Sequence, residues 1–150
     1  MVEGQGHRSE VMYLVRLLYL SKATGGLGTS GIEALLLSAQ RNNSRAGISG
    51  MLAFNGEYFL QVLEGGRSEV NGLYQRISAD PRHQELLMLQ MDEISERLFS
   101  DWSMAYVPSS KLTRELLLRY GVGDEFSPLK MSSRSCLGLL TALRAQIAVA

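Results

Sequence analysis

Two short apolar runs flank the dipeptide Asn55-Gly56 in the stretch ISGMLAFNGEYFLQVLE, residues 48–64. The runs cover residues 48–54 and 58–64, the length expected of two short strands. Asn-Gly is the dipeptide that most favours a two-residue type I′ turn, because both central positions of that turn need positive φ. The stretch therefore predicts an antiparallel β-hairpin.

Strand and helix patterns alternate in front of this hairpin. Residues 12–20, MYLVRLLYL, form an apolar run that is typical of a central strand in a sheet covered on both faces. Apolar residues then recur at helical spacing at Ile32, Leu35, Leu36 and Ala39. We predict a first helix that ends near Asn43, with extended chain restarting at Gly47.

The chain after the hairpin predicts a second helix and two more strands. Ser68 is a suitable N-cap, and Pro81 lies beyond the end of the helix. The inner stripe of this helix consists of Val70, Leu73, Tyr74 and Ile77. The two further strands are predicted near residues 86–94 and 101–107.

This order of elements is β-α-β-β-α-β with an additional fifth strand. It predicts an α+β, ferredoxin-like fold with a mixed sheet and two helices on one face. In that arrangement the first and third strands are neighbours, so Tyr19 and Gln61 lie on touching strands. After Pro108 the pattern becomes helical, and we expect these C-terminal helices on the other face. The domains predicted are a flexible tail at 1–10, a folded domain at 11–107 and a helical extension at 108–150.

Composition excludes several classes of protein. The chain has 150 residues, with 15 basic and 15 acidic residues that cancel, so a nucleic-acid-binding role is not expected. The single cysteine, Cys136, cannot form an internal disulfide, which favours a cytoplasmic location. The N-terminal decapeptide MVEGQGHRSE is polar and lacks an apolar core, so we do not expect it to act as a signal peptide, and no apolar run has membrane-spanning length.

Two neutral amides, Asn43 and Gln61, stand at core-facing positions. A buried amide costs stability unless its donors and acceptors find partners, so the pair suggests a planar, heteroatom-rich ligand. Each residue also has a simpler interpretation when taken alone. Asn43 can be a helix cap, Gln61 can bond to a neighbouring strand or a water, and Tyr19 can be an ordinary core tyrosine.

Other motifs argue less for chemistry. GLGTSG, residues 26–31, matches a dinucleotide fingerprint, but the hairpin that follows the first helix is incompatible with a Rossmann unit. Trp102, Met104 and Tyr106 share one face of the predicted fifth strand, which usually signals packing. No metal site is expected, because the candidate ligands are too few and too scattered. They are His7, His83 and Cys136.

Arg76 and Asp80 stand four residues apart on the predicted second helix. An exposed ion pair is the usual meaning of that spacing.

Taken together, several motifs in the chain resemble the BLUF domain, the flavin-binding sensor of blue light. The resemblance covers roughly residues 11–107 and keeps order and spacing. It is carried by YLS at 19–21, RNN at 41–43, GISGML at 47–52, FLQVLEG at 59–65, RISADPRH at 76–83 and DWSM at 101–104.

The resemblance implies a chain that binds FAD between its two helices. It implies that Tyr19 is the photochemical electron and proton donor and that Gln61 is the amide between the phenol and the flavin. Asn43 is expected to bind the pyrimidine edge of the flavin, with Asn42 beside it. Ala39 departs from the pattern, because several relatives have serine there.

The resemblance also assigns positions around the flavin and along the signalling route. Arg76 and Asp80 are expected near the flavin along the second helix. Trp102 and Met104 are expected on the strand that responds to light. Light would rearrange the hydrogen bonds of Gln61 and shift the flavin absorption to the red.

The C-terminal part resembles that of the short, stand-alone BLUF proteins known from cyanobacterial phototaxis. This implies a photoreceptor without enzymatic activity that signals through a partner, for example a response-regulator-like protein. The apolar last helix predicts a homo-oligomer, a dimer or a larger ring. Two alternatives are a cofactor-free ferredoxin-like interaction domain and a flavin enzyme.

Overall fold

The structure, a computed structural model, describes residues 13–25 and 28–149. The strands are β1 (Leu14–Ala23), β2 (Ser49–Phe54), β3 (Tyr58–Gly66), β4 (His83–Glu93) and β5 (Ala105–Val107). The helices are α1 (Thr29–Ala46), α2 (Arg67–Ala79), α3 (Arg114–Tyr120) and α4 (Ser133–Val149). The predicted tail at 1–10 and residues 26–27 of the GLGTSG stretch lie outside the described residues.

The five strands form one mixed sheet in the order β4-β1-β3-β2-β5. All neighbouring pairs are antiparallel except β2 and β5, which are parallel. The register of β1 and β3 places Tyr19 directly opposite Gln61. The predicted α+β, ferredoxin-like arrangement with a fifth strand is therefore confirmed.

The sheet separates two hydrophobic cores. Leu17, Leu52 and Leu63 point to the face that α1 and α2 cover, while Leu18 and Val62 point to the opposite face. The period-two alternation of the strands sends neighbouring residues to opposite faces, and apolar residues on both faces require cover on both. The face opposite α1 and α2 is covered by α3 and α4.

The inner stripe of α4 is buried against this second face. It consists of Cys136, Leu139, Leu140 and Leu143, each of which has no exposed surface. The apolar character of the last helix, from which the oligomer was predicted, is thus largely satisfied within the chain. Among the described residues, no helix is long and apolar enough to cross a membrane.

The hairpin forms at the predicted place, but its turn is not type I′. Asn55 donates its backbone N–H to the carbonyl of Tyr58, so Gly56 and Glu57 are the central residues. Positive φ occurs at Gly56 (96°) and not at Asn55. The side-chain oxygen of Asn55 instead accepts hydrogen bonds from the backbone N–H groups of Glu57 and Tyr58. These two local hydrogen bonds to the Asn55 side chain hold the turn without the left-handed conformation that was expected of Asn55.

α1 and α2 each differ from the prediction at one end. α1 continues past Asn43 to Ala46, where Gly47 ends it in the left-handed conformation with φ 70°. α2 begins earlier than predicted, because Gly66 and not Ser68 is its N-cap. Pro81 lies beyond the end of α2, as predicted.

The last two strands also differ in length from prediction. β4 begins at His83 instead of near residue 86, and its pairing with β1 shifts register between Leu20 and Lys22. Glu85 lies in this irregularity with φ 52°, the only non-glycine residue with positive φ among those described. β5 begins only at Ala105, so Trp102 and Met104 precede it.

The positive φ of Glu85 implies local backbone strain, which a substitution can test. A left-handed conformation costs an L-residue about 1–2 kcal/mol, whereas glycine adopts it freely but adds about 0.5–1 kcal/mol of chain entropy to the unfolded state. We expect Glu85→Gly to leave the free energy of unfolding unchanged or to raise it by up to about 1 kcal/mol. Urea denaturation measures this.

Gln84→Gly is the matched control, since Gln84 precedes Glu85 in β4 and has no positive φ. We expect it to lower the free energy of unfolding by about 1 kcal/mol. Equal losses in the two variants would contradict strain at Glu85.

Candidate functional site

A cleft opens between α1 and α2 above the face of the sheet that these two helices cover. It encloses about 190 Å³. All five residues predicted to hold a cofactor line it, namely Asn42, Asn43, Gln61, Arg76 and Asp80. Apolar side chains of both helices and of β2 form much of the remaining wall, among them Leu35, Leu52, Leu73 and Ile77.

Tyr19, Gln61 and Met104 form a hydrogen-bonded row at the floor of this cleft. The Tyr19 hydroxyl donates to Oε1 of Gln61. Nε2 of Gln61 donates to Sδ of Met104 over 3.2 Å. Tyr19 is fully buried, whereas Gln61 lines the cleft. The amide therefore lies between the phenol and the cleft.

The Tyr19 phenol is held in its neutral form. Burial is the main cause that raises its pKa above the ordinary value of 10.0, and the charges of Tyr74 and Asp80 act in the same direction. The edge of the Tyr74 ring lies against the Tyr19 ring, with centroids 5.7 Å apart. A neutral, water-excluded phenol whose proton points at an amide oxygen can release that proton only along this hydrogen bond.

Asn43 is buried on the inner face of α1, with an exposed fraction of 2%. Its Nδ2 donates to the carbonyl of Ser103 over 3.0 Å. The side-chain oxygen has no hydrogen-bond donor among the described residues, so it is available to a ligand in the cleft. Asn42 is exposed on the same helix and donates to Ser38 Oγ over 3.4 Å.

The predicted ion pair between Arg76 and Asp80 is not formed. Asp80 already follows the end of α2 in an extended conformation, so the helical four-residue spacing does not apply to it. It pairs instead with Arg82, with 2.6 Å between Oδ2 and the guanidinium. The hydrogen bonds from Arg82 are the main cause that lowers the pKa of Asp80. Arg76 remains on the cleft wall as a cation without an ion pair among the described residues.

His83 and Arg82 line the cleft as well, and the sequence interpretation missed both. Because β4 begins at His83, the ring lies over the end of β1, and Nδ1 shares a hydrogen bond of 2.8 Å with Ser21 Oγ. The imidazole packs 4.6 Å from the Phe59 ring. Ser21 therefore orients the His83 ring. The alternation of β1 offers a signal, since Ser21 shares a face with Tyr19.

Burial lowers the pKa of His83 from 6.5 to about 4. Asp80 opposes this shift, and Arg82 adds to it. His83 is thus neutral at neutral pH and can serve as donor or acceptor according to its tautomer.

The predicted common face for Trp102, Met104 and Tyr106 is wrong for Trp102. Met104 and Tyr106 belong to the core beneath α1 and α2, whereas Trp102 packs against the core beneath α3 and α4. Alternation between faces holds only within a strand, and β5 begins after Met104. Trp102 is not among the residues that line the cleft.

A sequence model of the family described as "BLUF: Sensors of blue-light using FAD" matches residues 14–105, more than half of the chain. The chain belongs to the BLUF family. Blue-light sensing with FAD as the cofactor is the property by which this family is defined.

Relatives and solved structures agree with this assignment. The chain is 32% identical over 133 residues to the photoactivated adenylate cyclase subunit beta of Euglena gracilis, which covers 85% of this chain and 16% of that protein. It is 34% identical over 91 residues to the blue light- and temperature-regulated antirepressor BluF of Escherichia coli (strain K12), covering 61% and 23%. The chain thus spans less than a quarter of either relative.

Two solved BLUF structures match over nearly their whole length. The dark-state structure of BlrB has a TM-score of 0.78 and 34% identity, covering 91% of this chain and 98% of that one. The ground state of BlsA has a TM-score of 0.79 and 30% identity, covering 87% of each.

The residues of the cleft fit a flavin. Oxidised flavin presents acceptors and one N–H donor along its polar edge, and the neutral amides of Asn43 and Gln61 offer both kinds of group without adding charge. A cofactor-free interaction domain would need neither the open cleft nor the spare oxygen of Asn43. Arg76 and Arg82 supply cations at the cleft wall.

The neutral state of His83 predicts a pH dependence of stability. The pKa of His83 is lower in the folded chain than in the unfolded chain. As pH falls below 6.5, the unfolded chain therefore binds more protons than the folded chain. The contribution of neutral His83 to the free energy of unfolding is complete above pH 6.5 and is lost toward pH 4.

We expect the free energy of unfolding to fall, between pH 7 and pH 4.5, by roughly 2 kcal/mol more in the unchanged protein than in His83→Gln. Urea denaturation of both proteins at the two pH values measures the difference. Parallel losses in the two proteins would show that His83 does not contribute.

Proposed function

We propose that this chain is a blue-light photoreceptor in which the cleft holds FAD and Gln61 is the switching residue. The observation that supports this most is the row Tyr19–Gln61–Met104, with the amide between a buried phenol and the cleft. Asn43 and Gln61 would hold the polar edge of the flavin, with Asn42 beside them. Arg76, Asp80 and Arg82 would surround the rest.

The role proposed for Tyr19 is that of electron and proton donor. Bound FAD absorbs blue light and, when excited, is a strong electron acceptor. A phenol kept neutral by burial has to lose its proton when it loses an electron, and Oε1 of Gln61 is the atom that accepts its hydrogen bond. The amide is therefore the group through which the proton would leave and return.

The role proposed for Gln61 follows from its two different partners. Oε1 accepts from Tyr19, and Nε2 donates to the Met104 sulfur. Rotation or tautomerisation of the amide would change both bonds at once. One such hydrogen bond is worth about 1 kcal/mol, enough to shift a two-state population several-fold but not to refold the domain.

The signal would then pass through Met104, Trp102 and strand five to the C-terminal helices. We propose that residues 11–107 form the sensor and residues 108–150 the part that contacts a partner, such as a response-regulator-like protein. The chain would act without enzymatic activity, in the cytoplasm. The neighbourhood of Met104 supports this route, since Trp102 packs into the core beneath α3 and α4.

A groove between α3 and α4 supports contact with another chain, either a partner or a second copy. Leu116, Tyr120 and Leu137 line it, and its charged lining residues are Arg119 and Arg134. Other large apolar side chains nearby are exposed, namely Leu118 and Val122.

We expect Tyr19→Phe and Gln61→Ala to abolish the light-induced red shift of the flavin while FAD stays bound. The first removes the proton of the phenol, and the second removes the amide that joins phenol and cleft. Absorption spectra before and after blue illumination measure the shift. A chain that stays colourless after reconstitution with FAD would refute the proposed function.

Tyr74→Phe is the matched control for Tyr19→Phe. Its ring lies beside that of Tyr19, but no hydrogen bond joins its hydroxyl to Gln61 among the described residues. The control should keep the red shift. A normal photocycle in Tyr19→Phe or in Gln61→Ala would remove that residue from the proposed mechanism.

We also expect the chain to form a homo-oligomer through the C-terminal helices. Light scattering at micromolar concentration should give a mass that Leu118→Asp lowers, because a buried carboxylate opposes association. A monomeric mass for the unchanged protein would reject the oligomer.

A further inference from the structure

The segment between β4 and β5, residues 94–104, contacts both cores of the molecule. Phe99 is fully buried in the core beneath α3 and α4, whereas Met104 is buried in the core beneath α1 and α2. We call residues 94–104 the bridging segment. It runs around the end of the sheet from one face to the other.

Glu64 fixes the outer part of the bridging segment. This residue of β3 is fully buried, and its carboxylate accepts hydrogen bonds from the backbone N–H groups of Leu98 (3.0 Å) and Phe99 (2.7 Å). Nε of Arg16 in β1 donates to the same carboxylate over 2.8 Å. A buried carboxylate is tolerated when cations and N–H donors surround it, and such charge-assisted bonds are stronger than neutral ones.

Arg97 adds a second attachment from the segment itself. Its guanidinium donates to the Gly47 carbonyl over 2.8 Å and to Ser49 Oγ over 2.9 Å. Gly47 follows the end of α1, and Ser49 is the first residue of β2. The outer part of the segment is thus tied to β3 through Glu64 and to β2 through Ser49, and Arg16 links the Glu64 carboxylate to β1.

The inner part of the segment is held at the cleft. The carbonyl of Trp102 accepts from the Gly50 N–H over 3.2 Å, and that of Ser103 accepts from Asn43. The carbonyl of Met104 accepts from Gln40, and its sulfur accepts from Gln61. Residues 100–101 lie between these two attachments.

Gln61 and Glu64 lie three residues apart on the same strand and project to opposite faces of the sheet. The strand between them is buried and paired on both sides, so it fixes the distance between the two attachments. With the outer attachment in place, the Met104 sulfur is kept within reach of the Gln61 amide. Without it, the inner part of the segment would be held by its hydrogen bonds to Gly50, Asn43, Gln40 and Gln61 alone.

We propose that Glu64 is a positioning residue for the photochemistry, which acts by fixing the bridging segment so that Met104 meets Gln61. The inference rests on the proposed function, because it concerns the partner of the switching amide. It also implies that a change at Gln61 would act on the bridging segment. Asp101, between the attachments, lies 3.6 Å from Arg144 of α4.

Glu64→Gln, Glu64→Asp and Arg97→Ala test this in the FAD-loaded chain. Gln keeps the size of the side chain but replaces one acceptor by a donor, and Asp keeps the charge. Hydrogen exchange in the dark measures the segment without any need for light. We expect the amides of Leu98 and Phe99 to exchange at least about tenfold faster in Glu64→Gln, since two charge-assisted bonds are weakened.

A photochemical readout separates positioning from simple structural support. We expect dark recovery of the red-shifted state to be at least about threefold faster in Glu64→Gln and in Arg97→Ala, and the Glu64→Asp variant to recover nearer to the unchanged rate. Glu93→Gln is the control, because it removes the same charge from an exposed pair with Arg67 and should change neither readout.

If Glu64→Gln does not fold, Arg97→Ala decides, since it loosens the segment and leaves the carboxylate in place. Unchanged exchange of residues 97–104 and unchanged recovery in a folded variant overturn the proposal. If no variant and no unchanged protein responds to light, the proposed function fails and the positioning role in photochemistry falls with it. The dark exchange data then still report whether Glu64 fixes the segment.

Discussion

The structure depends on the pairing of Tyr19 with Gln61 across the two central strands. Side chains on a strand alternate between faces, so a slip of one residue between β1 and β3 would carry Gln61 to the core beneath α3 and α4. The same slip would carry the fully buried Glu64 to the core beneath α1 and α2, away from Arg16 and from the backbone N–H groups of Leu98 and Phe99, and an unpaired buried charge opposes it. The register of β1 and β3 thus places one phenol and one amide in contact beneath the cleft.

Several buried polar side chains hold the segment that precedes β5. Five polar or charged residues are buried among those described, namely Ser21, Asn43, Ser49, Gln61 and Glu64. Three of them, Asn43, Gln61 and Glu64, bond directly to the segment that precedes β5. Burying each group is costly unless its hydrogen bonds are made, so these bonds fix one arrangement of the segment against its alternatives.

Much of the fold and the centre of the site were predictable from sequence, because periodicity reports which residues face the core. Tyr19, Asn43 and Gln61 stand on apolar faces, where a polar side chain has to be explained. His83 and Arg82 were missed because their connector is charged and the strand there begins earlier than its apolar pattern. The predicted type I′ turn at Asn55 and the predicted face of Trp102 were wrong for a related reason. Local hydrogen bonds and strand ends override periodic patterns.

Mechanical stiffness differs between the parts that surround the amide. β1 and β3 are long, buried and paired on both sides, whereas β5 has three residues and pairs with β2 alone. A rearranged amide cannot displace the central strands for the cost of about one hydrogen bond, roughly 1 kcal/mol. It can displace a segment held to the cleft by single bonds at Ser103 and Met104. Because that segment also carries Phe99 and Trp102 into the opposite core, the response to the amide has to travel around the end of the sheet and not through it.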